Sequence, residues 1–455
     1  MAVTHTTQFA TLDEVVQHEM ERWKVPGISV GILRDGEITG YGYGVTSLES
    51  EQKVTSDTLF QIGSNSKVFT TTLLMTLVDD GTVDLDAPVT RYLPDLQLGD
   101  ARALEALRVR HLVSHQSGLF GDIFDDMGWG DDALAKSVAG LGSARHMYQP
   151  TELWSYTNIA FNIAGRIIET VLEQPFETAM RERVLAPLGL ERTFYFAHEV
   201  YPYRHAVGHR PEKPGDEDVI VAREYWLNRA LGPAGSLHST VHDILTFDRF
   251  HLGLGGGERD GKPILSEASR LAMQQPQIKA ANFVDEWCLG WWSLSVDGAR
   301  IIGHGGGTNG FITRNTLIAD RQAAFAIFTN STRGGSAIRP IERWIFAHEF
   351  GLHDRDPELV ELAPVQIGRV AGEYRNPLST VTVTPHDGGL RIQIQSTNIA
   401  TNEPVTHPPV DVKPVSELEF MATEGEQEGS RIDFIPNPDG SIRFVRMGGR
   451  LAERA

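Results

Sequence analysis

Ser64-Asn65-Ser66-Lys67 sets a hydroxyl nucleophile and an amine three residues apart, between the apolar run 58–63 and the helical-looking stretch 68–78. Residues three apart share a face of a helix, so the Lys67 amine is expected beside the Ser64 hydroxyl. A hydroxyl with a base at its side can attack a carbonyl, which is the chemistry of acyl transfer. A place in the first helical turn would also put Ser64 at the positive end of the helix dipole, where developing negative charge is favoured. The competing reading is a plain helix N-cap, a position that Ser favours.

Spacing alone is weak. Ser50-Glu51-Gln52-Lys53 fits the same pattern but has no apolar helix behind it. Two further patterns accompany Ser64: Tyr156-Thr157-Asn158, and His304-Gly305-Gly306-Gly307 at the end of a short apolar strand. Tyr374-Arg375-Asn376, His251-Leu252-Gly253 and His386-Asp387-Gly388 match those short patterns as well. Order, spacing and flanking residues separate Ser64, Tyr156 and His304 from these look-alikes.

The flanking residues resemble the penicillin-binding-protein and serine β-lactamase superfamily, in the branch that holds class C β-lactamases, D-alanyl-D-alanine carboxypeptidases, D-aminopeptidases and related esterases. Phe60-Gln61-Ile62-Gly63-Ser64 is similar to the nucleophile box of that family, and Leu112-Val113-Ser114-His115-Gln116-Ser117-Gly118-Leu119 to a second landmark. Gly81 to Val89, Tyr92-Leu93-Pro94, Pro187-Leu188-Gly189-Leu190 and Pro233-Ala234-Gly235-Ser236-Leu237 extend the resemblance. It covers roughly residues 10 to 350. It implies an oxyanion held between the backbone N–H groups of Ser64 and Gly307, the residue that follows Gly306. Penicillinases of the superfamily usually carry Lys-Thr-Gly where this chain has His304-Gly305-Gly306, and His-x-Gly is closer to D-aminopeptidases and some carboxypeptidases and esterases.

The chemistry expected of these residues is specific. Lys67, its pKa lowered in a crowded site, takes the Ser64 proton. Tyr156 relays that proton to the leaving group and later helps to activate the second nucleophile. Asn158 orients the substrate amide and helps to position Lys67. An imidazole at position 304 has neutral and charged forms within reach near pH 7.

The elements that must position these groups follow from turn signals and periodicity. Residues 11–23 read as an amphipathic helix, and 27–34 and 37–45 as a hairpin about Asp35-Gly36. Late strands at 290–296, 299–303, 311–319 and 322–330 complete one antiparallel sheet, closed by a helix at 338–350. A mainly helical region from Ser64 to about residue 250 carries the nucleophile and Tyr156. The fold class expected is α+β: a β-lactamase/transpeptidase-like antiparallel sheet flanked by helices, with a helical subdomain and the site at their boundary. After about residue 355 period-two segments at 380–384, 390–394, 432–435 and 442–445 read as a small antiparallel β-domain, a lipocalin-like barrel. The domains expected are therefore residues 1–355, catalytic, and 356–455, barrel-like. Such appended domains occur in some D-aminopeptidases, peptidases and peptide-cyclising thioesterases of the superfamily.

Arg446 and Arg450, on a glycine-flanked late strand, could bring a guanidinium to a substrate carboxylate if that domain packs over the cleft. Solvated surface arginines are the commoner outcome. With them, the substrate-binding candidates are Asn158, Gly306 and Gly307, and the catalytic candidates are Ser64, Lys67, Tyr156 and His304.

Composition bounds the rest. The chain has 455 residues, 41% hydrophobic and 22% charged, with a formal net charge of -19. That balance is ordinary for a globular protein and argues against nucleic acid or an anionic membrane surface as partner. The first eight residues have neither a basic region nor an apolar core, and no segment is long enough to span a bilayer, so a cytoplasmic protein is expected. The lone Cys288 forbids an intrachain disulfide and reads as a packed apolar residue. His348 and His353 lie five apart on different helix faces, and Gly305 to Gly310 precedes a strand, so neither a metal nor a cofactor is expected.

The function expected is a serine hydrolase acting on amide or ester bonds of small peptides or related molecules, with D-configured residues favoured. The alternatives are a β-lactamase, a transpeptidase or thioesterase that cyclises nonribosomal peptides, and a non-catalytic binding protein on the same scaffold. The partner expected is a small-molecule or short-peptide substrate, with a homo-oligomer left open.

Overall fold

The computed structural model describes residues 9–223, 227–281, 283–397 and 403–455; the expectation for the first eight residues lies outside them. An eight-stranded antiparallel sheet runs Glu37–Gly44, Gly27–Arg34, Ala323–Thr329, Phe311–Ile318, Ala299–Thr308, Trp292–Val296, Glu286–Trp287 and Ile278–Lys279. Two neighbouring strands, Gly27–Arg34 and Ala323–Thr329, bury apolar side chains on both faces. Ile28, Val30 and Ile32, with Phe325 and Ile327, pack against the helices Leu12–Trp23 and Gly334–Phe350. Leu33, Ala324, Ala326 and Phe328 turn to the opposite face, where the helix Val241–His251 lies. Gly31 lets that helix approach: a Cβ there would come within 2.7 Å of Leu245 Cδ1.

The helix Ser66–Asp79 runs through the larger core, with Ser66 to Leu77 all buried. A helix buried on every side must satisfy its polar side chains internally. Thr71 and Thr72 do so by donating to the carbonyls of Lys67 and Val68 at 2.8 and 2.9 Å. Phe69 stacks on Phe247 with centroids 3.9 Å apart, which fixes the helix against the one beneath the sheet.

The C-terminal period-two segments close into a barrel. Its eight antiparallel strands are Gly372–Asn376, Ser379–His386, Gly389–Thr397, Val410–Pro414, Glu419–Ala422, Arg431–Pro436, Ile442–Met447 and Arg450–Arg454. Tyr374 pairs with Arg454 to close the ring, and Pro404–Thr406 is appended to the third strand. The helix Pro364–Val370 puts Ile367 and Val370 into the barrel core at one end, where Tyr374 Oη donates to the Val370 carbonyl at 2.7 Å. The other end faces the helical region.

Two boundaries differ from expectation. The strand that carries His304 continues to Thr308, because Gly305 to Gly307 keep their pairing with Arg314, Thr313 and Ile312. The late helix begins at Gly334, before Pro340, which its interior tolerates. Among the described residues no helix is long and apolar enough to cross a membrane.

Candidate active site

Ser64 lies in the 3₁₀ turn Gly63–Asn65, and the α-helix starts two residues later at Ser66. The three-residue period of a 3₁₀ turn brings residues three apart into line. Lys67 Nζ accordingly lies 3.0 Å from Ser64 Oγ. The cap positions of the 3₁₀ turn and of the α-helix are Ile62 and Asn65, so Ser64 is not an N-cap. Gly63 sits at φ +53°, the left-handed region open to glycine, and a Cβ there would lie 2.7 Å from the Gly307 nitrogen.

Lys67 is buried among three oxygens: Ser64 Oγ at 3.0 Å, Asn158 Oδ1 at 2.6 Å and the Ala234 carbonyl at 2.6 Å. Burial, reinforced by the charge of Arg450, drives its pKa well below the ordinary lysine value against the opposing pull of Asp122. A neutral amine has two N–H groups and one lone pair. The Asn158 and Ala234 oxygens can only accept from it, so the lone pair faces the Ser64 hydroxyl.

Tyr156 bonds Ser64 from the other side, and burial pushes its phenol up. The Lys67 ammonium position lies 5.0 Å from the Tyr156 ring centroid. Behind Tyr156, the buried His115 ring packs at 4.1 Å, and its Nδ1 accepts the Thr157 N–H at 3.0 Å. His115 belongs to the second landmark of the sequence, which gave it no role.

His304 is buried on the facing strand, 5.6 Å from the Trp287 ring. Its Nδ1 bonds the Gly305 carbonyl at 2.5 Å, and because a carbonyl only accepts, that nitrogen carries the hydrogen. Nε2 is then an acceptor, and it has no hydrogen-bond partner among the described residues. Burial holds the imidazole neutral, its pKa lowered to about 3, with the Lys67 charge adding to the effect.

The same strand brings its glycines against the nucleophile turn. A Cβ on Gly306 would lie 1.9 Å from the Ile62 carbonyl, so only glycine fits this approach. Thr313 Oγ1 donates to that carbonyl at 2.9 Å, and Asn65 Nδ2 donates to both at 3.0 and 2.9 Å, which pins the turn to the strand edge.

The residues that sequence reasoning missed are Asp122 and the aromatic wall of Trp154 and Trp287. Asp122 Oδ1 accepts from Asn158 Nδ2 at 2.7 Å, and its Oδ2 accepts from Arg450 Nε at 2.8 Å. Burial would raise this carboxyl, and the Arg450 guanidinium overrides it, holding it below the ordinary range. Asn158 therefore spends its oxygen on Lys67 and one N–H on Asp122, which makes it a positioning group first. Its place after Leu119-Phe120-Gly121, in an acidic stretch, reads as a solvated loop until the barrel supplies the partner.

The two arginines part company. Arg450 reaches the site, with its Cζ 4.8 Å from the Tyr156 ring centroid and its side chain 38% exposed. Arg446 is buried and committed, bonding both carboxylate oxygens of Asp433 at 2.9 and 2.7 Å and the Trp154 carbonyl at 2.8 Å. It holds the barrel to the strip that carries Tyr156 and has no path to a ligand in this arrangement. Cys288 is buried, its Sγ 3.2 Å from the Gln274 carbonyl.

Comparison with known proteins places this geometry. The beta-lactamase family profile matches residues 12–348. The chain is 32% identical over 361 residues to penicillin-binding protein 4 of Amycolatopsis lactamdurans, covering 77% of this chain and 93% of that protein. A crystal structure of SurE with D-Leu has a TM-score of 0.73 over 98% of both chains at 23% identity, so the likeness of fold includes the barrel. The D-amino acid amidase of Ochrobactrum anthropi SV3, complexed with L-phenylalanine, has a TM-score of 0.62 at 26% identity, over 75% of this chain and 98% of that one. The chain belongs to the beta-lactamase family, whose fold carries serine hydrolases and penicillin-binding-protein homologues.

Proposed function

We propose that the protein is a hydrolase that cleaves amide or ester bonds of small peptides through an acyl-enzyme on Ser64. The observation that carries this reading is the Lys67 amine, whose two hydrogens are taken by Asn158 and Ala234 and whose lone pair is left for Ser64. Ser64 Oγ attacks the substrate carbonyl carbon as Lys67 takes its proton. The tetrahedral oxyanion forms between the Ser64 and Gly307 N–H groups. Its collapse breaks the carbonyl–nitrogen or carbonyl–oxygen bond, and Tyr156 hands the proton to the leaving group. Water then attacks the acyl-enzyme, giving up its proton through the same pair, and Ser64 is restored.

The neutral His304 supports peptides over β-lactams, because the side chain at this position offers no charge to a β-lactam carboxylate. The half-exposed Arg450 is the cation in reach, and with two N–H groups beyond those given to Asp122 and Gly448 it suits a substrate carboxylate. The likeness to a D-amino acid amidase supports D-configured residues at the acyl position. The chain is then a catalytic unit over 1–355 with the barrel over 356–455 as part of the site wall. Capture of the acyl group by an amine is the second reading, favoured by the barrel turn at Gly449, whose carbonyl accepts the Tyr156 N–H at 2.8 Å and which covers this side of the site.

Intact-protein mass spectrometry tests the reading. A fluorophosphonate should add one adduct that Ser64→Ala abolishes. D-alanine p-nitroanilide or a short p-nitrophenyl ester should turn over faster than a penicillin. A peptidyl thioester released as a cyclic product would move the assignment to aminolysis. No adduct with any of them would leave a binding protein.

A further inference from the structure

The barrel contains a cavity that the acyl-transfer steps do not use. Strand parity settles which side chains line it. Tyr374, Val383, Leu390 and Ile392 fill the barrel core near the plug helix Pro364–Val370. On the same inward faces but toward the other end stand Val381, Ile394, Val445, Met447 and Ala452. There the filling stops, leaving a cavity of about 330 Å³ whose rim is Phe120, Asp122 and Arg450. The lumen is therefore plugged at one end and opens onto the helical region at the other.

The rim fixes the relation of this cavity to the site. Arg450 faces inward on the last strand, and its guanidinium also lies 4.8 Å from the Tyr156 ring centroid. One group thus borders the cavity on one side and Tyr156 on the other. Tyr156 bonds Ser64 and, in the mechanism above, serves the leaving group. With Tyr156 in that proposed role, the cavity would lie on the leaving-group side.

We propose that the open end of the barrel is a subsite for a bulky apolar side chain on the leaving-group residue of the substrate. This deepens the Ser64 reading and rests on it. The inward aliphatic side chains and Leu378 give the cavity an apolar wall, with Asn376, Ser379, Ser396 and Thr397 adding polar groups, and eight-stranded barrels of this kind have room for one small ligand. An apolar cavity of about 150 Å³ takes up benzene, so the volume here suits a leucine-sized to tryptophan-sized group. Arg450 at the rim can take the carboxylate of the same residue, which selects a C-terminal apolar amino acid.

Photocrosslinking in the full-length Ser64→Ala protein tests the placement without turnover. A D-alanyl-photoleucine dipeptide, its diazirine on the leaving-group side chain, should mark barrel residues such as Leu378, Val381, Ile394 or Met447 in peptide mapping. Adducts confined to the sheet or to the helical region, or no adduct, overturn the proposal. In the wild-type protein, kcat/KM for D-alanyl-leucine should exceed that for D-alanyl-glycine by at least about tenfold. That ratio should fall toward one in Ala452→Phe, which fills the lumen; a wild-type ratio near one, or a ratio that survives Ala452→Phe, also overturns it. Failure of the Ser64 reading would show separately, as wild-type protein that neither labels with fluorophosphonate nor cleaves the dipeptides while the barrel crosslinks persist.

Discussion

Arg450 donates its Nε–H to Asp122 Oδ2 at 2.8 Å, joining the last strand of the barrel to the helical region. Asp122 passes the contact on to Asn158, and Asn158 to Lys67, at 2.7 and 2.6 Å. The barrel thus adjusts the amine that faces Ser64, through two intervening side chains and through its charge. Both charges act on Lys67, with Arg450 depressing its pKa and Asp122 raising it.

Breaking the pair from either side should move the pH–rate profile in opposite directions. Asp122→Asn leaves Arg450 uncompensated, so Lys67 loses its proton more readily and the acid limb of kcat/KM moves to lower pH. Arg450→Met leaves Asp122 uncompensated, and the limb moves to higher pH. Both variants should lose kcat by about tenfold to a hundredfold, since each also loosens Asn158. Shifts in the same direction would refute the charge argument.

The glycines of the strand edge give a sharper geometric test. Alanine at position 63 would meet the Gly307 nitrogen at 2.7 Å in a backbone conformation that favours glycine, and at position 306 the Ile62 carbonyl at 1.9 Å. Either change must separate the two N–H groups proposed to hold the oxyanion. The expected loss in kcat is on the order of 10² to 10³ for each. Gly335→Ala, a helical position with nothing within 4 Å, serves as the control and should keep full kcat. Steady-state kinetics on a p-nitrophenyl ester would show it.

How much of this was legible in the sequence depends on the range of each contact. Ser64, Lys67, Tyr156 and Asn158 are set by local spacing on a helix start and a tight loop, so their types and order announced the site. Arg450 and Asp122 stand 328 residues apart, and neither means anything alone. The strand expected to stop at Gly303 runs on through Gly305 to Gly307, and among these glycines it is Gly306 whose close approach to the nucleophile turn leaves no room for a Cβ. In the barrel, the long alternating segments were readable, but Val410–Pro414 and Glu419–Ala422 are too short for period two to stand out. Burial of Arg446 was invisible because its partner Asp433 sits across a strand pair.

Stability should fall as the solution is acidified from neutral. His238, His251 and His304 are buried with pKa values lowered to about 3, and His111 to about 4, from an ordinary value of 6.5. Below 6.5 the unfolded chain binds protons that the folded chain refuses, so unfolding gains about 1.4 kcal/mol per pH unit per histidine until the folded pKa is reached. Asp248 and Asp243, raised by burial, oppose this in part. Thermal unfolding should therefore show Tm dropping between pH 6.5 and pH 4, and His251→Gln should flatten that slope. A Tm that rises on acidification would reverse the sign.

The Arg446–Asp433 pair separates holding the fold from positioning Tyr156. Arg446→Met leaves the Asp433 carboxylate buried without its partner, at a cost of about 3–5 kcal/mol in chemical unfolding. It also frees the Trp154 carbonyl, which Arg446 holds at 2.8 Å two residues before Tyr156. The double variant Arg446→Met with Asp433→Leu removes the unpaired charge and should recover most of the stability, because a packed apolar pair replaces a buried ion pair at little loss. It does not restore the hold on Trp154, so kcat should stay depressed by about tenfold. Recovery of kcat together with stability would mean that the tie to Trp154 does nothing for Tyr156 beyond keeping the barrel folded.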